Sequence, residues 1–347
     1  MFPFSTHWRK ALVSLPRLLP DAALRFTNPE GPQPIVFKIR SREGRSIPIY
    51  VFVPKQVAQK REKTTLPVLI DFHGGSFILG SCLEQAPFCA MMARELNCIA
   101  ISVDYRLGPY DRYPAANEDA EDVISAVLDD RNPAFKQLRN TINTYLSKAQ
   151  EPFVDLDTVR IAISGFSSGG NLALNMAISV EDDPTISAPW PSVIPQSYEH
   201  AVPLLLFYPS LDCRMLPNER LRPEGLEVPT GFFARLNLET ELMPQYLRVE
   251  KRAHPRASPG LADIKGLHPK AKIMLILPQL DSLSALSDIW VEKVRSDGRA
   301  DDLFVDRVAG VPHGWTQFPD LWLSKEDKKS KVAVFEGAKE FLKSHWT

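Results

Sequence analysis

Short, nearly continuous apolar runs alternate along the chain with segments in which apolar residues recur at three- and four-residue steps. Runs such as IAISV and IMLIL are typical of strands that are buried on both faces of a parallel sheet. The alternation therefore predicts a mostly parallel sheet with helices on both faces. The predicted strands are Ile35–Ile39, Ile47–Val53, Val68–Phe72, Ile99–Val103, Val159–Ser164, Leu204–Tyr208, Ile273–Leu277 and Leu303–Arg307.

Helical periodicity occupies most of the intervals between these runs. The first two strands are separated only by a short segment around Glu43–Gly44, which predicts an antiparallel hairpin at one edge of the sheet. The predicted helices are Pro87–Asn97, Ala115–Asp129, Ser168–Val180, Leu283–Ser296 and Lys331–Ser344.

Two regions interrupt the alternation, namely residues 1 to about 34 and residues 210 to about 260. The second is rich in Pro, Arg and Leu and has a helical stretch near Leu236–Leu247. Long insertions in a compact α/β domain are usually functional, and ligands bind at the C-terminal edge of such sheets. We therefore expect one domain over residues 1–347, with both regions forming a helical cap over that edge. The alternative is a solvated excursion without a role.

Composition narrows the classes of protein that fit. The chain has 347 residues, 44% of them hydrophobic, and 41 basic against 42 acidic residues, which is typical of a globular protein without a basic surface for nucleic acid. No apolar run approaches the ~20 residues that a membrane span needs. Pro16 and Arg17 interrupt the apolar N-terminus, which is therefore a poor signal peptide, and we expect a cytoplasmic protein. The four cysteines form no CxxC pair, so we expect no metal site.

A strong candidate for a catalytic nucleophile follows the strand VRIAIS. There, Gly165-Phe166-Ser167-Ser168-Gly169 forms a G-x-S-x-G motif between a strand and a helix, which is the context of a nucleophile elbow. The flanking glycines permit a turn too tight for side chains, and the helix N-terminus favours negative charge. The alternative is a helix-capping serine in a glycine-rich turn.

A serine nucleophile needs a base and an acid that orients the base. Of the seven histidines, His313 follows the last predicted strand and lies on a loop at the expected edge. Asp281 follows the strand IMLIL, which gives the chain order Ser, Asp, His of α/β hydrolases. Asp288 is a second candidate but falls inside the next predicted helix, and Asp281 could instead be an ordinary carboxylate at a helix N-terminus.

A third group of candidates could stabilise an oxyanion. The strand VLIDF ends in His73-Gly74-Gly75-Ser76-Phe77, where two glycines let backbone N–H groups turn toward one point. Together with the N–H of Ser168, those of Gly74 and Gly75 could form an oxyanion hole. We interpret His73 as a structural residue that orders this loop, because it precedes the nucleophile in the chain.

At these residues the sequence resembles the hormone-sensitive-lipase-like family of α/β hydrolases. HGGSF is similar to the family's HGGGF, and VPHGW to its HGF. Further similar blocks are VDYRLGPYDRYPAANEDA, DLDTVRIAISGFSSGGNLAL and HPRASPGLADIKGLHPKAKIMLILPQLDSL. The resemblance covers about residues 35–345 and implies an α/β-hydrolase fold with an eight-stranded sheet. It also implies carboxylester hydrolysis without a cofactor, with Ser167 as nucleophile, Asp281 as acid and His313 as base.

The sequence departs from the family pattern at three positions near the site. Ser76 replaces the third glycine of HGGG, Phe166 replaces an acidic residue, and Ser168 replaces an alanine. Such variants resemble fungal biosynthetic-pathway members. We therefore expect a small-molecule ester or lactone as substrate. The same site could also serve lactonisation, acyl transfer or cyclisation of a natural-product intermediate, and a ligand receptor on a disabled hydrolase scaffold is a further alternative.

Overall fold

A computed structural model gives the structure of residues 28–55, 64–181, 189–226 and 238–346. The strands are β1 (Ile35–Arg40), β2 (Ser46–Phe52), β3 (Thr64–Phe72), β4 (Ile99–Val103), β5 (Val154–Phe166), β6 (Val202–Phe207), β7 (Ala271–Leu280) and β8 (Leu303–Pro312). They form one sheet in the order β1-β2-β4-β3-β5-β6-β7-β8. Strand β2 is antiparallel to both of its neighbours, and the remaining adjacent strands are parallel.

This sheet confirms the predicted α/β architecture, and each of the eight predicted strands overlaps an observed one. The predicted hairpin is also confirmed, since Ile39 pairs with Ile47 across a turn in which Gly44 has φ +73°. A φ in the left-handed region favours glycine, so this residue fits the turn. Strand β5 begins earlier than predicted because Val154 and Leu156 pair with the start of β3.

Seven α-helices lie in the described residues, and three of them differ from the predicted range by four or more residues at one end. The first begins at Cys82, because the Ser81 hydroxyl and the Glu84 carboxylate form a capping box there. The helix after the elbow ends at Met176, since Ile178 and Val180 form bridges with other segments. The last begins at Lys325 rather than Lys331, where the Ser324 side chain caps it by accepting a hydrogen bond from the Asp327 N–H. The helices are α1 (Cys82–Leu96), α2 (Ala115–Leu128), α3 (Pro133–Lys148), α4 (Ser168–Met176), α5 (Leu238–Tyr246), α6 (Ser284–Ser296) and α7 (Lys325–His345).

Helix α3 was not among the predicted elements. Its start has two standard signals, because the Asn132 side chain accepts a hydrogen bond from the Ala134 N–H and Pro133 occupies the first helical position. Leu138, Ile142 and Leu146 recur at four-residue steps and are buried. This periodicity explains why the segment folds as a helix against the sheet.

The sheet separates two apolar cores. Helices α1 and α7 cover one face, where Phe88 and Phe335 pack together with Phe207 of β6. Helices α2, α3, α4 and α6 cover the other face. All four cysteines are buried and free, as expected of small apolar residues. No helix in the described part of the chain is long and apolar enough to cross a membrane.

The two predicted cap regions are described only in part. Residues 1–27 of the first and 227–237 of the second lie outside the described residues. In the second region, helix α5 packs on the loop after β3, where the Tyr246 and Phe77 rings stack with centroids 4.8 Å apart. This contact brings the helix over the C-terminal edge of the parallel strands.

A buried carboxylate lies in the centre of the sheet. Asp71 of β3 is fully buried and pairs in register with Ser102 of β4 and Ser164 of β5. The Ser164 hydroxyl donates to its carboxylate at 2.6 Å, and the Ser102 hydroxyl does so at 3.4 Å. Burial raises the pKa of Asp71 from 3.8 to about 7, although these hydrogen bonds oppose the shift.

This raised pKa makes a prediction for stability. As pH rises from 3.8 toward 7, the unfolded chain ionises at this residue while the folded chain stays protonated, so stability is lost. At ~1.4 kcal/mol per pH unit, the loss between about pH 5 and the folded-state pKa of about 7 is about 3 kcal/mol, and no further loss follows up to about pH 8. We expect Asp71→Asn to remove this loss in urea unfolding, and Asp301→Asn, at an exposed position, to retain it. An equal pH dependence in Asp71→Asn and the wild type would contradict the prediction.

Candidate active site

The predicted elbow is a tight turn between β5 and α4. Ser167, at its apex, has φ 54° and ψ −112°, an unusual conformation for a residue with a side chain. Two backbone hydrogen bonds hold it, from the Ser167 N–H to the Phe207 carbonyl at 2.9 Å and from the Ser210 N–H to the Ser167 carbonyl at 3.0 Å. The turn thus directs the hydroxyl away from the sheet edge and into a cavity that Ser167 lines.

The close crossing of strand and helix explains the two glycines of the motif. A Cβ on Gly165 would lie 2.0 Å from the carbonyl oxygen of Gly169, and a Cβ on Gly169 would lie 2.0 Å from that of Phe72. Such separations are well inside van der Waals contact, so neither position accepts a side chain while the backbone keeps this path.

The three side chains proposed from the sequence meet at this edge of the sheet. His313 Nε2 lies 3.0 Å from Ser167 Oγ, and His313 Nδ1 lies 2.7 Å from Asp281 Oδ2. The other carboxylate oxygen of Asp281 accepts a hydrogen bond from the Leu283 N–H at 2.9 Å. The Asp281 side chain is 2% exposed and that of His313 is 36% exposed, so the imidazole is open to the cavity while its partner is shielded.

Aromatic packing supports the histidine from the sheet side. The Tyr208 ring meets the His313 ring edge-on with centroids 4.9 Å apart, and the Tyr208 hydroxyl is hydrogen-bonded to Thr316. Gly314, with φ +76°, lets the chain turn sharply after the histidine. These contacts leave the imidazole little freedom to rotate away from Asp281.

The predicted oxyanion donors lie beside the serine. A Cβ on Gly74 would lie 3.0 Å from the Phe166 carbonyl oxygen, so this loop runs directly along the elbow. Within the described residues, the Gly74 and Gly75 N–H groups donate no hydrogen bond to the protein. The Ser168 N–H is the first of helix α4 and needs a partner from outside the helix. These three amides therefore remain available to an acceptor from outside the described residues.

The replacement of a glycine by Ser76 does not prevent a left-handed loop. Ser76 has φ 55° and Phe77 has φ 61°, and the Ile78 and Leu79 N–H groups both donate to the Gly75 carbonyl. These backbone hydrogen bonds close the loop on itself. The left-handed conformation of Ser76 and Phe77 costs about 1 kcal/mol or more of conformational strain for each residue.

His73 is buried beneath this loop. Its ring stacks on Tyr105 with centroids 4.2 Å apart, its Nδ1 lies 2.7 Å from the Gly74 carbonyl oxygen, and the Tyr105 hydroxyl donates to the His73 carbonyl at 2.7 Å. These contacts fit the interpretation of His73 as a residue that orders the glycine loop.

A cavity of about 310 Å³ lies above the serine, large enough for a small or medium-sized ligand. Its wall combines the sheet edge with the second predicted cap region, which contributes both apolar and basic side chains. It is lined by Ser76, Phe77, Ser167, Ser210, Pro217, Arg220, Arg222, Leu226, Met243, Leu280, Asp281, Ser282, Leu283, Pro312 and His313.

Sequence reasoning missed several of these residues. Arg220, Arg222 and Met243 belong to the cap region, where no periodicity indicated which side chains face the site. For Tyr208, its position at the end of a predicted strand was the available signal. In the part of the chain that the structure describes, no group of three His, Cys, Asp or Glu side chains could hold a metal ion.

The comparisons with known proteins agree with this fold. A sequence profile of a family described as having an α/β hydrolase fold matches residues 69–317. The chain therefore belongs to this family, the hormone-sensitive-lipase-like α/β hydrolases. An esterase structure from Pyrobaculum calidifontis superposes with a TM-score of 0.66 at 21% identity, covering 99% of this chain and 95% of the other, which establishes the likeness of fold.

Two curated relatives carry names of ester-cleaving enzymes. "Ethyl acetate hydrolase" of Pseudomonas putida is 24% identical over 88% of this chain and 81% of its own length. "Probable carboxylesterase 8" of Arabidopsis thaliana is 38% identical over 39% of this chain, and the match spans only 38% of that relative. These names support a carboxylesterase-type hydrolase. A place in a fungal biosynthetic pathway stays a prediction.

Proposed function

We propose that the protein hydrolyses carboxylic esters of small molecules through a serine acyl-enzyme. The observation that carries this proposal is the continuous chain of hydrogen-bonding distances from Ser167 Oγ through the His313 imidazole to Asp281. In such an arrangement the imidazole accepts the serine proton through Nε2 because its Nδ1–H is held by a carboxylate.

The chemistry of the proposed reaction has two halves. Ser167 Oγ attacks the ester carbonyl while His313 takes its proton, and His313 then protonates the departing alcohol as the tetrahedral intermediate collapses to an acyl-serine. A water molecule, deprotonated by His313, attacks the acyl group, and the proton returns to Ser167 as the acid leaves. Asp281 stabilises the imidazolium formed in each half.

The oxyanion of both tetrahedral intermediates needs donors that are already aligned. We assign this role to the N–H groups of Gly74, Gly75 and Ser168. One donor of this kind typically contributes ~3 kcal/mol to transition-state stabilisation.

We also propose that the second region, residues 210 to about 260, forms a cap that covers the binding site for small esters. Pro217, Leu226 and Met243 supply apolar wall to the cavity. Apolar wall removes water from the reacting groups and strengthens electrostatic interactions there. Lactonisation, acyl transfer and cyclisation would use the same residues with another acceptor, and product analysis separates them from hydrolysis.

A fluorophosphonate probe tests whether Ser167 is the nucleophile. We expect one probe adduct per chain, and peptide fragmentation should locate it on Ser167 rather than on the adjacent Ser168. Ser167→Ala should take up no probe. An adduct on another residue, or no adduct on folded protein, would refute the proposed mechanism. The absence of an adduct is also the result expected of a ligand receptor.

A further inference from the structure

We infer that the ester substrate carries an anionic group, such as a carboxylate, which Arg220 and Arg222 of the cap bind. Both arginines line the same cavity as Ser167 and His313. This inference names a substrate class for the proposed esterase site and therefore rests on that proposed function.

Within the part of the chain that the structure describes, the two guanidinium groups have no carboxylate partner. Neither Arg220 nor Arg222 forms an ion pair with any residue that the structure describes. By contrast, Arg214 in the same segment binds the Asp212 carboxylate at 2.7 Å. Arg220 and Arg222 line the cavity without such a partner, and the planar guanidinium fork matches a carboxylate, so the pair is suited to an external carboxylate.

Burial strengthens the argument for Arg220. Its Nε atom is shielded from solvent and has no hydrogen-bond acceptor among the described residues. A buried N–H of a charged group without an acceptor is unfavourable, and a bound carboxylate would supply one. The Cys213 thiol interacts electrostatically with Arg220, but burial raises the pKa of this thiol. Because the thiol therefore stays protonated, it does not neutralise the charge of Arg220.

The remaining charge in the cavity does not cancel the two arginines. Among the described residues that line it, Asp281 is the single carboxylate, and both of its oxygens are already engaged, by His313 and by the Leu283 N–H. The apolar wall of Phe77, Leu226 and Met243 would contact the carbon chain between the ester and the anion. The cavity is thus suited to a short, amphipathic ester with one negative end.

Matched pairs of esters test the inference. The p-nitrophenyl hemiester of adipic acid against p-nitrophenyl hexanoate puts the carboxylate on the acyl side. A second pair, 3-carboxyphenyl hexanoate against phenyl hexanoate, puts it on the alcohol side. We expect kcat/KM to be higher for the anionic ester than for its neutral partner in at least one pair. The double variant Arg220→Gln/Arg222→Gln should reduce the ratio of these two kcat/KM values by about 10- to 100-fold. Added KCl should also weaken it.

Two control variants make the result specific. Arg214→Gln removes a nearby charge that does not line the cavity and should keep the preference. Arg220→Lys keeps the charge without the planar fork and should keep part of it. Hydrolysis of the neutral esters reports the proposed function separately. If those esters are cleaved in a Ser167-dependent manner but no preference exists, or it survives the double substitution, the inference is wrong while the esterase proposal stands.

Discussion

Ser167→Ala should lower kcat for p-nitrophenyl acetate by about 10⁴-fold or more. The substitution removes the oxygen that lies 3.0 Å from His313 Nε2 and leaves the base without a nucleophile to activate. The remaining rate would come from the oxyanion donors and from substrate binding alone. This residual rate should still exceed that of the uncatalysed reaction in water. Alanine suits the buried elbow in size, so the melting temperature should change little.

Steady-state assays on Ser167→Ala, His313→Ala and the combined variant make this test stringent. Because the two residues act as one unit, the combined loss should be close to either single loss rather than their product. Circular dichroism would establish that each variant is folded. A Ser167→Ala enzyme as fast as the wild type would end the proposed mechanism.

The sequence was sufficient to predict the strands and the candidate triad. Strands buried on both faces have continuous apolar runs, and the G-x-S-x-G motif between a strand and a helix has few alternative structures. Chain order then selected Asp281 and His313 from several acids and seven histidines, and the structure brings both to Ser167.

Features that depend on register or on irregular chain could not be predicted in the same way. Asp71 is a polar residue in an apolar strand, and only the pairing of β3 with its neighbours reveals that Ser102 and Ser164 flank it. Arg220 and Arg222 lie in a segment without helical or strand periodicity, so nothing in the pattern indicated that they face the cavity. Tertiary contacts decide such positions, whereas local patterns decide the strands.

Asp281→Asn is expected to lower kcat by about 10⁴-fold, although the residue never contacts the substrate in the proposed mechanism. The Asp281 carboxylate accepts a hydrogen bond from His313 Nδ1, which leaves Nε2 unprotonated and directed at Ser167. An asparagine amide in the same place can donate to Nδ1, which would favour the tautomer with the proton on Nε2. That tautomer cannot accept the serine proton, so the imidazole would be present but inactive as a base.

Asp288→Asn is the matched control, because Asp288 was the other acid considered for this role. It lies on helix α6, where its carboxylate pairs with Arg307 at 2.5 Å on the surface. Exposed pairs of this kind contribute little, so this variant should keep nearly wild-type kcat and stability. Comparable kcat values for the two variants would remove Asp281 from the mechanism, and a large loss in Asp288→Asn alone would transfer the orienting role to the second acid.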